Sequence, residues 1–413
     1  MARVLLLVPS ASYRAGDFLE AALALGVEVV VGSSEALALR GVMGGRSLEL
    51  PFDDPGAAAS AIVEQDRVAP LDAVVAVDDQ GTLVAAEASA RLGLRHNPPA
   101  AVAAARDKIA MRRALAAAEV PQPAFAPLRG RAGEAETFEV VASVGYPCVV
   151  KPRDLSGSQG VIRVDDPAGV LSVVERVRGI ASRAGAGPSP TVLVEAFVGG
   201  AEVAVEGILD GGELTVLAVF DKPDPLEGPY FEETIYVTPS RLPTGELAAV
   251  AAAAGQAARA LGLSEGPVHA EVRVSGGRAS VIEVAARTIG GLCSRTLRFG
   301  TGRSLEELVL AQALGLPLDR DREGRAAGVL MLPIPGTGTL IGVEGREEAL
   351  AVPGILAVET TVAPGRPIVA VPEGDRYLGF VFAEGPTPAR VEKALRRAQG
   401  LLEVRVEETR GRP

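Results

Sequence analysis

The chain has 413 residues, 48% hydrophobic and 23% charged, with a formal net charge of −11 and a sequence pI near 5.0. That length exceeds one ordinary core and predicts two to four packed domains, while the acidic balance excludes general binding to nucleic acid or to an anionic membrane, because no field draws phosphate to the whole surface. With no Trp and only two cysteines, Cys148 and Cys293, the core must be built from Ala, Val and Leu, and neither a disulfide scaffold nor cysteine metal-ligand spacing is available; cytoplasm is the expected compartment.

Along the chain, residues 2–8, 27–31 and 73–77 are apolar runs of strand length, and 14–25 and 80–92 are Ala-rich at helical spacing. Strand alternating with helix predicts a parallel, doubly wound first domain, an α/β unit. The opening run 4–8 is too short for a signal-peptide core and ends at Pro9, so it reads as a buried strand. Asp78 and Asp79 follow the third run, where such sheets place ligands; an acidic cap on the helix starting near Gln80 is the competing reading. After the turn His96-Asn97-Pro98-Pro99, residues 101–119 read as one long linking helix closed by Pro121 and Pro123.

From Phe138 the pattern becomes a helix, a Val-rich strand ending at Lys151, a Gly/Ser loop and a strand at 161–164, followed by a hinge-like linker at 185–190 and a strand at 192–194. Strands then dominate to about residue 286 (203–208, 214–220, 268–274 and 279–284), with an Ala-rich helix at 245–261, which predicts a mostly antiparallel sheet. The greasiest stretch, 247–263, is interrupted by Gly255, Gln256 and Arg259 and falls short of the roughly 18 apolar residues of a membrane span. A helix at 304–314 precedes a segment rich in Gly and Pro, with short strands and one helix at 388–402, read as a separate α+β cap.

Of 41 basic residues only four are lysines, Lys108, Lys151, Lys222 and Lys393; a lysine kept in an Arg-rich chain marks a place for a compact point charge. Lys151 closes a strand and leads into Ser156-Gly157-Ser158-Gln159-Gly160-Val161, where small residues let backbone N–H groups approach phosphate oxygens; a bare hairpin turn is the alternative, and no Walker A lysine follows. Glu195 and Glu202 bracket a strand end able to offer backbone groups and a carboxylate to adenine and a second carboxylate to ribose, unless both are simply solvated. The sharpest signal is a hairpin: His269-Ala-Glu271 on one apolar strand, a Ser-Gly-Gly-Arg turn, and Glu283 on the next with Arg287 four residues on. Carboxylates in apolar strands are costly to bury unless paired or metal-bound, and two that face each other suit Mg²⁺ when phosphates supply its other ligands; exposed alternation is the rival. Arg287 can hold a carboxylate bidentately.

Lys108 in Arg-Asp-Lys-Ile-Ala-Met, Lys151 with its loop, Glu195 to Glu202, and Glu271 with Glu283 and Arg287 occur in an order that resembles the ATP-grasp superfamily across almost the whole chain. Within it, Phe220-Asp-Lys-Pro-Asp-Pro-Leu-Glu-Gly-Pro-Tyr-Phe-Glu-Glu, Ala285-Ala-Arg-Thr-Ile-Gly-Gly and the segment from about Gly328 resemble bacterial L-amino-acid (dipeptide) ligase-like proteins. The resemblance implies a Rossmann-like domain at 1–97, a linker helix at 98–120, a mobile lid at 121–190, a core with the metal site at 191–325 and a ligase-type cap at 326–413. It implies that ATP is bound by Lys108, Lys151, residues 156–161, Glu195, Ala196, Val198 and Glu202. Mg²⁺, with Mn²⁺ as the alternative, falls to Glu271 and Glu283, and catalysis to Lys151 and Arg287.

It further implies substrate contacts from Glu232, Glu233, Arg287, Gly290 and Gly291, with small-molecule carboxylate and amine substrates, amino acids foremost, and no nucleic-acid or membrane partner; a homodimer is common among such folds. Glu232 and Glu233 lie where this branch recognises its amino substrate, and a solvated loop is the other reading. Many ATP-grasp enzymes carry Asn where this chain has Ala285, which leaves one metal or phosphate contact unassigned. His269 is read as a structural residue. The implied activity is ADP-forming carboxylate–amine ligation through an acylphosphate; bicarbonate-dependent carboxylation and a non-catalytic ATP-binding module are the rivals.

Overall fold

The structure is a computed structural model that describes all residues except 11, 37–43, 318, 323 and 409–413. The first domain contains β1 (Arg3–Leu7), α1 (Ala15–Ala24), β2 (Glu28–Ser33), β3 (Ser47–Glu49), α2 (Pro55–Val68), β4 (Ala73–Ala76) and α3 (Thr82–Leu92). Its sheet is parallel in the order β3-β2-β1-β4, so the chain winds outward from β1 on one side and returns at β4 on the other. The carboxyl ends of β1 and β4 therefore flank the crevice where the winding reverses, and the loops after them are placed to reach a ligand.

The linking helix is two helices, α4 (Pro99–Arg106) and α5 (Lys108–Ala117). Asp107 between them is extended (φ −105°, ψ 102°), and its side chain accepts from the Ile109 and Ala110 amides. An Asp inside an Ala-rich run thus ends one helix by capping the next, and puts Lys108 at the first position of α5.

A second sheet, all antiparallel, has the order β5-β8-β6-β7 and is built from β5 (Phe125–Leu128), β6 (Cys148–Pro152), β7 (Ile162–Val164) and β8 (Val192–Ala196), with α6 (Glu134–Val144) and α7 (Val170–Ala181) packed on it. Residues 192–196, expected in the core, belong to this lid sheet.

The core supplies β9 (Ala201–Asp210), β10 (Glu213–Asp221), β11 (Ile235–Thr238), α8 (Thr244–Leu261), β12 (Gly266–Ser275), β13 (Arg278–Ala285) and α9 (Leu305–Ala313). Helix α8 buries Val250, Ala253, Ala254, Ala257, Ala258 and Leu261, a stripe at helical spacing that seats its Ala face against β12 and β13. Gly276 and Gly277 both have positive φ (57° and 76°), the conformation a two-residue hairpin loop between twisted strands requires.

The final segment adds β14 (Ala326–Leu332), β15 (Gly338–Glu344), α10 (Arg346–Leu350), β16 (Ile355–Thr360), β17 (Pro367–Ile368), β18 (Gly379–Gly385), α11 (Pro388–Gln399) and β19 (Glu403–Glu408). It is not a separate cap. Strands β14, β18 and β16 continue the core into one eight-stranded sheet, β13-β12-β9-β10-β11-β14-β18-β16, through the antiparallel pairing of β11 with β14; only β17-β15-β19 form a sheet of their own. Among the described residues, no helix is long and apolar enough to cross a membrane.

Candidate active site

The switch-point loops, the lid sheet, the β9-β12-β13 edge and residues 361–377 enclose a cavity of about 970 Å³. Glu271 and Glu283 are direct partners across the β12–β13 ladder, beside a register shift between Glu271 and Val272, and their side chains are 22% and 29% exposed on the cavity. Lys108 Nζ lies 3.5 Å from Glu283 Oε1. Burial pushes the Glu283 carboxyl up, but Lys108, Lys151 and Arg287 hold it below the usual range, so it presents an ionised oxygen donor. Two accessible carboxylates on one rigid hairpin, backed by lysines that would face phosphate, fit a divalent metal bound together with a nucleotide.

A tighter acidic group also exists: carboxylate oxygens of Glu202, Glu233 and Glu271 lie within 4.8 Å of one another. Their shared cation is Lys222, whose Nζ lies 2.7 Å from Glu202, 2.6 Å from Glu233 and 3.2 Å from Glu271. Burial alone would lower the Lys222 pKa, yet the three carboxylates raise it well above its ordinary value. The sequence pointed to Lys222 through the scarcity of lysine and the Phe220-Asp-Lys-Pro motif, and gave it no role. Lys393, by contrast, is exposed on α11.

Lys151, at the end of β6, bonds Glu195 Oε2 at 2.7 Å, and Lys108 Nζ bonds the Leu155 carbonyl at 2.6 Å, so both lysines frame the loop that follows. Ser156, Gly157, Ser158, Gln159 and Val161 line the cavity; Gly160 is not on its wall, and its amide donates to the Pro372 carbonyl at 2.7 Å. Glu195 and Glu202 stand on the wall with their carboxylates already engaged. Glu195 accepts from Arg112 (2.6 Å) and Lys151, and Glu202 from Lys222 and Arg273 (2.7 Å each), at 2% and 7% exposure. Both carboxylates thus hold cations; in the backbone beyond them the Ala196 and Phe197 amides donate to the Ala124 and Pro147 carbonyls, and the Val198 carbonyl accepts from Arg273.

Arg112, overlooked in the sequence, is fully buried and bonds Glu195 on β8 and the carbonyls of Val281 and Ile282 on β13. One guanidinium thereby joins the lid sheet to the carboxylate hairpin.

At the far end, Arg287 Nε is 3.7 Å from Asp79 Oδ1, and Arg106 Nε is 3.5 Å from Asp79 Oδ2. Asp78 caps the next turn through the Asp79 amide (2.8 Å), as one reading of the sequence had it, and also lines the cavity. Gly290 and Gly291 also line it; at Gly291 (φ 63°) a Cβ would stand 2.8 Å from the Phe380 ring, so only glycine fits there. Both members of the acidic pair at 232 and 233 have partners within the protein. Glu233 accepts from Lys222, Tyr236 and Tyr377, and although burial pushes its carboxyl up these partners hold it at about 2. Glu232 is off the cavity wall, takes a backbone hydrogen bond from Ile334 and is pushed up by burial. Glu233 lines the cavity with its carboxylate engaged by these partners, and Asp78 and Asp79 line it as well, Asp79 between Arg106 and Arg287.

His269 is buried, with Nδ1 3.2 Å from Glu206 and Nε2 3.8 Å from Glu271. Glu206 also accepts from the Ile289 amide at 2.9 Å, so this pair fixes the Arg287–Gly290 loop against the carboxylate strand.

Comparison with known proteins gives three family matches: an ATP-grasp domain over 144–296, an ATP-grasp N-terminal domain over 19–96, and an L-amino acid ligase C-terminal domain over 330–407. The fold is similar to that of an L-amino acid ligase from Bacillus licheniformis, with TM-score 0.84, 26% identity and 99% of each chain covered. An alanine–anticapsin ligase of Bacillus subtilis is 28% identical over 258 residues, 58% of this chain and 53% of that one. An N5-carboxyaminoimidazole ribonucleotide synthetase from Thermotoga maritima shares the fold (TM-score 0.71, 18% identity, 98% of this chain and all of that one). The chain spans about half to two thirds of the length of most of the curated relatives it matches, and a quarter of a carbamoyl phosphate synthase large chain.

Proposed function

The chain belongs to the ATP-grasp superfamily, and on that footing we propose that it is an ADP-forming carboxylate–amine ligase that joins amino acids through an acylphosphate. The observation that carries this reading is the opposition, in one cavity, of the Glu271/Glu283 pair and Arg287 to Lys108, Lys151 and the 156–161 loop. In the proposed reaction Arg287 orients the acid so that its carboxylate oxygen attacks the γ-phosphorus of ATP, and ADP leaves. The amine nitrogen then attacks the acyl carbon, inorganic phosphate departs, and the nitrogen loses a proton. Lys108 and Lys151 offset the negative charge of the transferred group, and the closed lid keeps water from the acylphosphate; positioning and electrostatics supply most of the acceleration. Glu271 and Glu283 would hold Mg²⁺ or Mn²⁺, which supplies charge neutralisation at the phosphates.

In the same reading residues 1–97 form the N-terminal region, 98–120 the link and 121–196 the lid, and the core that follows shares its sheet with the C-terminal segment from 326. The acid's ammonium meets Asp78 and Asp79, and the enzyme works in the cytoplasm on small molecules alone, in keeping with its net charge of −11.

The test is ADP and phosphate release with Mg-ATP, screening amino acids singly and in pairs, with hydroxylamine in parallel to trap acylphosphate. Release that requires an amino acid and yields hydroxamate is the expected outcome. Release that requires bicarbonate instead would move the assignment to a carboxylase, and tight ATP binding without release under any condition would leave a binding module.

A further inference from the structure

The lid and the C-terminal segment keep separate apolar cores. The buried cluster of the lid is drawn from residues 128–194 and that of the C-terminal segment from residues 235–398, with no member in common. Hydrogen bonds and one ion pair join the two. The Gly160 amide donates to the Pro372 carbonyl at 2.7 Å, and the Gln159 side chain donates to the Glu373 carbonyl at 2.8 Å. Arg176 of α7 grips the Glu373 carboxylate through Nε (2.7 Å) and Nη2 (3.0 Å). At Gly157 (φ 62°) a Cβ would stand 3.2 Å from the Asp375 carbonyl, so the loop lies directly on the backbone of residues 372–375.

The strap that carries these acceptors is fixed at both ends. Before it, Ile368 of β17 is buried and pairs with Gly338 of β15, and the Gly374 amide closes a turn on the Ala370 carbonyl at 2.9 Å. After it, Tyr377 donates to Glu233 at 2.8 Å, and the Leu378 amide donates to the Leu332 carbonyl at 3.2 Å. Glu233 in turn holds Lys222, whose Nζ lies 3.2 Å from Glu271. The foot of the strap is thereby set against the carboxylate hairpin, while its crown reaches the lid loop.

The lid is thus tied at two points that differ in burial. Arg112 joins its sheet to β13 and is fully buried, whereas the side chains of Arg176 and Glu373 are 43% and 32% exposed. Parting a buried ion pair strands charge away from water, but an exposed pair trades its partner for water at small cost. The buried tie is the fixed end of the lid, and the exposed one opens without uncovering either apolar core. We infer that residues 370–377 are a catch for the lid: Glu373 is a positioning residue that, through Arg176 and Gln159, holds the 156–161 loop over the cavity. The C-terminal segment then sets how long nucleotide and acylphosphate stay enclosed. The acylphosphate half of this rests on the ligase reading; retention of nucleotide needs only ATP binding at that loop.

The experiment uses the full chain loaded with fluorescently labelled Mg-ADP and follows dissociation by stopped flow in wild type, Glu373→Ala, Arg176→Ala and the double variant. Each single variant is expected to release nucleotide about three- to tenfold faster, and the double no faster than the singles, because the two side chains act as one contact. Thermal midpoints should stay within about 2 °C of wild type, since both groups lie outside the packed cores. With amino acids present, the same variants should release more ADP per amide formed, as water reaches the acylphosphate. Unchanged dissociation in E373A, or losses in the singles that add in the double, overturns the catch. Wild-type hydroxamate formation separates the two levels of argument: if it is absent, the ligase reading falls and the dissociation rates alone judge the catch, and if it is present with unchanged dissociation in the variants, only the catch falls.

Discussion

Glu283→Ala is expected to lower the rate of ADP formation by about a thousandfold or more while leaving the chain folded. Glu283 is one of two carboxylates paired across β12 and β13, is held ionised by Lys108, Lys151 and Arg287, and remains 29% exposed on the cavity. In the proposed reading its removal would take away a metal ligand, and it leaves Lys108 without its carboxylate partner. Because the side chain is not part of a packed core, the thermal midpoint should shift by only a few degrees. Glu283→Gln keeps the shape and removes the charge, so an equal loss in Gln and Ala variants marks the charge as what matters. Single-turnover ADP release, measured across a Mg²⁺ titration, reads both effects. A variant that turns over at the wild-type rate would show that the metal is held elsewhere.

Arg112→Leu should cost about 3–5 kcal/mol of stability, because it leaves the buried Glu195 carboxylate with Lys151 alone and takes the donor from two strand carbonyls at once. Burial pushes the Glu195 carboxyl up, yet Arg112 and Lys151 more than offset this and hold it at about 2. A carboxyl depressed below its unfolded value of about 4.3 contributes stability that is complete above that pH and is lost as pH falls towards 2. Denaturant unfolding of the wild type should therefore weaken across that window, and R112L should show a shallower decline because its Glu195 is less depressed. If R112L unfolds at the wild-type denaturant midpoint at neutral pH, the Arg112 tie between lid and hairpin contributes nothing.

The parts of the molecule legible in the sequence are those with a local signature. The parallel strands of the first domain appear as apolar runs separated by helical spacing, and the carboxylate hairpin as two apolar strands around Gly276 and Gly277. What escaped was set by distant partners. Arg112 meets Glu195 across 83 residues, and nothing in its own neighbourhood distinguishes it from the other arginines of the chain. Glu233 looked like a substrate contact until Lys222, Tyr236 and Tyr377 were found around it, the last 144 residues away. The break at Asp107 was hidden because a cap residue and an ordinary polar residue of a helix are the same letter, and only the backbone angles separate them.

The eight-stranded sheet bears on how the molecule can be cut. Residues 144–296 match a domain model by themselves, which invites isolating the nucleotide-binding half. Yet β11 gives its outer hydrogen-bonding edge to β14, pairing Ile235 with Leu330 through Thr238 with Ala327, and every residue of β14 is buried. A chain stopped at residue 325 would carry β11 as a naked, apolar sheet margin, the kind of surface that recruits further copies strand by strand. Size-exclusion chromatography of such a fragment should therefore find it in large assemblies, whereas the intact chain completes its own sheet.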